Sequence, residues 1–116
     1  MSELRRTGRR GWQVGAFNFA GSAPLTAIAY CSRHAPRTTT AEKSSTVDAS
    51  SGARVRARCG RGKRVAFGGY SADVNDAFVV LHGLERTSAR AFRVSALNGT
   101  STAAGDLTAY AYCAKR

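Results

Sequence analysis

Between residues 54 and 64 the chain places six cations in eleven positions: Arg54, Arg56, Arg58, Arg61, Lys63 and Arg64. That density points to chemistry with phosphate, sulfate or carboxylate, anions that a guanidinium grips through paired hydrogen bonds. The first three alternate with Ala53, Val55, Ala57 and Cys59. On a strand they would project from one face about 6.6 to 7 Å apart, twice the rise per residue. We read the six as polyanion-binding, against the plainer role of charges that keep an exposed edge from aggregating. The glycines among them do not make a phosphate loop, because G-x-x-x-x-G-K-[ST] is absent.

Aromatic residues supply a second candidate. Tyr30, Tyr110 and Tyr112 alternate with small residues, a pattern that would form a ridge able to stack on sugar rings or bases. Catalytic constellations are scarce. His34 stands in a loop near Pro36, His82 lies inside the apolar AFVVLHGL segment, and neither has a recognisable nucleophile or carboxylate partner. The three cysteines at 31, 59 and 113 show no C-x-x-C spacing, so no metal or other cofactor is expected. They permit at most one intramolecular disulfide. The expected function is therefore non-enzymatic.

Positioning these groups falls to strands. The 116 residues suffice for one domain, and the apolar content leans on Ala and Val, which suits thin, closely packed sheets. Net charge is +11, with 15 Arg against 3 Lys, so polyanions are the natural partners. No run approaches the roughly 20 apolar residues of a membrane span, so no membrane insertion is expected. Residues 1–10 carry four Arg and little apolar content and read as a flexible basic arm; residues 11–116 read as a single β domain. Strands are expected at Trp12–Asn18, Leu25–Cys31, Thr38–Val47, Ala53–Cys59, Arg64–Tyr70, Ala77–Leu84, Phe92–Asn98 and Leu107–Cys113. The Thr-rich third suits an edge and the apolar AFVVLHGL a central position. Gly68-Gly69 marks a bulge or a close backbone approach, and Ser71–Ala77 is the one stretch that could hold a short helix.

The chain also repeats itself. WQVGAFN (12–18) and LTAIAYC (25–31) return as FRVSALN (92–98) and LTAYAYC (107–113). Such duplication predicts internally duplicated hairpins related by pseudo-symmetry. In each copy Trp12 or Phe92 would anchor the core, and Asn18 or Asn98 would satisfy backbone groups of the following turn. The fold class expected is all-β: an antiparallel sandwich or prism-like domain of about seven to eight strands.

These two ribbons, with CGRGKRVAFGGY (59–70), resemble a repeat of uncharacterised, mostly secreted bacterial proteins, especially actinobacterial ones. Its pattern runs C-P-x-G, G-G, W-x-V-x-A-x-N, L-T-x-x-A-x-C. The resemblance covers residues 12–31 and 59–113; Gly60 stands where the pattern has Pro and Phe92 where it has Trp. It implies an extracellular β module without transferable activity, and a disulfide Cys59–Cys113, with Cys31–Cys59 the second choice. The expected location is secreted or at the cell surface, although this chain shows no leader. The expected function is a binding or adhesion module for anionic or carbohydrate polymers. Two alternatives are a structural subunit of a virion, fibre or surface layer, as a homo-oligomer or larger assembly, and a nucleic-acid-binding protein.

Overall fold

Alternation of small apolar and polar residues favours strands, and most of the described residues form them. The computed structural model describes residues 3–16, 21–22, 24–34, 36–72 and 79–116. Among them run β1 (Glu3–Gly8), β2 (Gly11–Gly15), β3 (Thr38–Val47), β4 (Gly52–Arg58), β5 (Lys63–Ala72), β6 (Val79–Ser88), β7 (Ala91–Asn98) and β8 (Gly105–Lys115). They build two antiparallel sheets, a five-stranded one in the order β2-β1-β5-β8-β3 and a three-stranded one in the order β4-β7-β6. The expected all-β sandwich forms. Among the described residues no helix is long and apolar enough to cross a membrane.

The core lies between the sheets and is made of small side chains. Val55 and Ala57 of β4 and Val94 and Ala96 of β7 meet Leu107, Ala109 and Ala111 of β8, with Val47, Val65 and Tyr70 around them. Side chains of this size let two sheets approach to roughly 10 Å. Gly68 sits on this inner side, where an added Cβ would enter the ring of Phe92. Its neighbour Gly69 faces outward, where a Cβ would strike the Leu4 carbonyl oxygen. The close approach expected at this pair is thus real on both faces, and the register shift lies just before it, between Val65 and Phe67. Tyr70 is fully buried, and burial, with Glu3 nearby, pushes its phenol up to about 12.

Cys59, just past the end of β4, is joined to Cys113 of β8. The bridge therefore ties the small sheet to a central strand of the large one. Cys31 is free and exposed.

Several expectations are corrected. The arm is a strand from Glu3 to Gly8: Leu4 packs against the core, and β1 pairs with β5 through Glu3↔Ser71 and Leu4↔Tyr70. The duplicated hairpins do not form. β7 and β8 belong to different sheets, so the 99–104 connection spans the sandwich instead of closing a ladder. In the first copy β2 pairs with β1, while residues 25–31 are irregular and exposed. Trp12 and Phe92 are accordingly not equivalent. Phe92 lies under Gly68 inside the sandwich, whereas Trp12 packs on Phe67 and Tyr112. β6 is an edge strand of the small sheet and not central. Asn18 lies outside the described residues, as does all of the suggested helical stretch except Ser71 and Ala72, which end β5.

Candidate polyanion site

β4 forms one edge of the small sheet. Since Val55 and Ala57 turn into the core, Arg54, Arg56 and Arg58 must turn out, and all three are exposed. Among the described residues no carboxylate lies within ion-pair distance of them. Pairing with β7 sets Arg54 opposite Ser95, Arg56 opposite Arg93 and Arg58 opposite Ala91. Pairing of β7 with β6 continues these rows to Gly83, Glu85 and Ser88. Three guanidinium groups therefore border a floor of Ser95, Gly83, Ala91 and Ser88. Within it Arg93 is already committed to Glu85, by an ion pair and hydrogen bond. The free positive charge stands along the β4 edge, with the spacing of a rail.

The second half of the cationic run leaves this face. After Cys59 the chain turns through Arg61 and Gly62, the latter at φ +73°, and enters the large sheet as β5. Arg61 is exposed in that turn. Lys63 donates from Nζ to Thr39 Oγ1 at 2.8 Å, bracing β5 against β3. Arg64 is exposed and borders an open depression with Arg86 and Arg116. The structure thus sets Arg54, Arg56 and Arg58 in one row on β4, with Arg61 in the turn that follows and Lys63 and Arg64 on β5 of the large sheet.

The expected tyrosine ridge is also divided. Tyr110 and Tyr112 do stack along β8, with centroids 6.4 Å apart and planes 18° apart. Tyr112, however, is buried: Trp12 abuts it, and its hydroxyl accepts the Arg6 backbone N–H at 2.7 Å. Burial pushes its phenol up, and the Arg6 hydrogen bond with the Arg5 and Arg6 charges pulls it partly back. Tyr110 shares a hydrogen bond with Ser71 at 3.1 Å. Tyr30 lies in the irregular segment, on no strand at all, and is 93% exposed. No surface carries all three rings.

Sequence reasoning missed a second basic region. Arg9 and Arg10 cap the β1–β2 hairpin, and Arg37 precedes β3 across a cleft from them. One signal for that hairpin was present: Gly8 and Gly11 bracket the Arg pair and face each other in the ladder, as expected of a tight two-residue turn. His34 and His82 are both exposed, the latter at the register shift between Leu81 and Gly83. Among the described residues no three metal-ligating side chains gather. No protein-family model, curated protein or solved structure matches the chain.

Proposed function

We propose that this domain is a non-enzymatic module, secreted or displayed at a cell surface, that binds an anionic polymer along the β4 edge. One observation carries the reading: Arg54, Arg56 and Arg58 stand in file on an exposed edge, without carboxylate partners among the described residues. A chain of net charge +11 draws polyanions toward it, and a file of this kind offers them register. The Cys59–Cys113 disulfide supports an oxidising compartment. Anionic glycan, teichoic acid and nucleic acid all present charges that such a rail can follow.

The test is retention on immobilised heparin at graded salt. Each lost contact should lower the slope of log affinity against log salt by roughly 0.7 to 0.9, the nucleic-acid value. Replacing Arg54, Arg56 and Arg58 by alanine should therefore reduce the slope by about 2 to 3 and elute the protein at lower salt. Unchanged retention would reject the site.

A second reading, a subunit of a larger assembly, is favoured by a different observation. Residues 25–31 match residues 107–113 of β8 at six of seven positions. Yet they join no sheet, leaving Leu25 53% and Ile28 64% exposed. A segment patterned for a sheet interior and left outside both sheets is suited to strand addition with another copy. Sedimentation equilibrium should then show concentration-dependent association that Ile28→Lys suppresses. A monomer at every concentration counts against assembly.

A further inference from the structure

The hairpin that carries Arg9 and Arg10 closes one side of a cleft made of two adjoining cavities, of about 430 and 300 Å3, both bordered by Arg6, Arg9, Arg10 and Pro36. Arg37 and Thr38 complete the larger. Trp12, Phe67 and Tyr30 give the smaller its aromatic side. Together the cavities lie in the range of roughly 300 to 1,000 Å3 usual for small-molecule sites.

What borders the cleft restricts what it can hold. Four guanidinium groups contribute, no carboxylate among the described residues lines either cavity, and the other polar side-chain groups are the hydroxyls of Thr38, Ser32 and Tyr30, the Trp12 indole N–H and the Cys31 thiol. Guanidinium groups only donate hydrogen bonds. A neutral sugar, whose hydroxyls must also donate, would find few acceptors here. A ligand rich in acceptors and bearing negative charge would find its donors converging. The aromatic side favours a flat ring. Trp12 is half-buried, with its ring 5.4 Å from that of Phe67 and 5.8 Å from that of Tyr112, so it is held in place.

One cation is positioned in advance. The Arg6 guanidinium donates to Gly8 O at 2.6 Å, Thr38 Oγ1 at 2.7 Å and Arg9 O at 2.8 Å, and lies 5.6 Å from the Phe67 ring centroid. These bonds use three of its five N–H donors and leave its charge beside the cleft. Arg9, Arg10 and Arg37 are exposed, and their side chains make no hydrogen bond or ion pair among the described residues.

From this we infer that the cleft binds a nucleoside phosphate, with the base against Trp12 and the phosphate held by Arg9, Arg10 and Arg37. Free nucleotide and a nucleotide unit of a single strand share this chemistry. The site is distinct from the β4 rail, which lies on the other sheet.

Trp12 is the only tryptophan in the chain, so its emission reports the cleft directly. Titration with adenosine 5′-monophosphate should change that emission saturably, while inorganic phosphate at equal concentration should not. Arg9→Ala with Arg37→Ala, both exposed positions, should weaken nucleotide binding by tenfold or more, and Arg37→Lys by less. A short oligothymidylate binding more tightly than thymidine monophosphate would identify the strand as the source; equal or weaker binding would identify the free nucleotide. Absence of any response to nucleotides up to millimolar concentration would overturn the inference. So would an equal response to inorganic phosphate, or nucleotide binding that survives loss of Arg9 and Arg37. Heparin retention of the β4 variants is a separate reading, so failure of one site is distinguishable from failure of the other.

Discussion

Replacing Cys59 and Cys113 together by alanine is expected to lower the stability of the domain by about 4 kcal/mol, the loop-entropy value for a bridge of this span. The two residues are 54 apart in sequence, so the reduced unfolded chain gains all the freedom of that loop. The bridge also has few substitutes. Apart from it, the small sheet is held to the large one by small side chains such as Val55, Ala57, Val94 and Ala96, each of which buries little area, and by few hydrogen bonds, among them Val65 N–H to Ala89 O and Asn98 Nδ2 to Val47 O. Small domains typically have only 5 to 15 kcal/mol in total, so the double variant should be close to unfolding at physiological temperature. Urea denaturation of the oxidised protein, the reduced protein and the double variant measures this. A loss below about 1 kcal/mol would mean that the bridge only decorates a sandwich already held by its core.

The second large effect is expected at Asn98. Its amide nitrogen donates to Val47 O at 3.1 Å and Ala103 O at 2.8 Å, and its Oδ1 accepts the Thr100 N–H at 3.0 Å. The side chain is buried, at the point where β7 leaves the small sheet and the chain crosses to β8. It therefore joins the end of β3, the crossing loop and β7 in one network. Asn98→Ala removes three hydrogen bonds and strands backbone groups inside the protein, for a cost of roughly 2 to 4 kcal/mol. Asn98→Asp should cost at least as much, since a carboxylate cannot donate to the two carbonyls and brings a buried charge. Thermal unfolding gives the size, and faster hydrogen exchange at Thr100 would locate it. Stability within 0.5 kcal/mol of the parent, the usual range for a surface substitution, would show that the network is dispensable.

Asn98 also shows how far a single sequence can be read. A polar residue ending an apolar-alternating run, just before a Gly/Ser/Thr turn, had one economical role, and the structure has it in that role. The Arg row was equally legible. Alternation assigns faces, so burying Val55 and Ala57 necessarily exposes Arg54, Arg56 and Arg58. Its extent was not legible, because the turn after Cys59 transfers the chain to the other sheet and takes Arg61, Lys63 and Arg64 with it. The cleft at the β1–β2 hairpin was still further from view. It joins Arg6 and Trp12 to Arg37 and Phe67, residues far apart in the chain, and the Arg6–Tyr112 hydrogen bond spans 106 positions.

The sharpest contrast is between two nearly identical heptads. LTAYAYC becomes the middle of β8, paired with β3 from Gly105 to Ala114 and with β5 from Leu107 to Lys115. LTAIAYC, with the same pattern of Leu, Ala, Ala and Cys, joins no sheet and stays exposed. The sequence by itself determined the buried and solvent faces of β4 and the task of Asn98, since these depend on side-chain alternation and local turn chemistry. Tertiary structure alone decided which strands became neighbours, which sheet each joined, and which copy of the heptad was given a place. A strand carries its hydrogen-bonding groups along its edges whatever its side chains, so its own residues specify a face but not the partner that completes it.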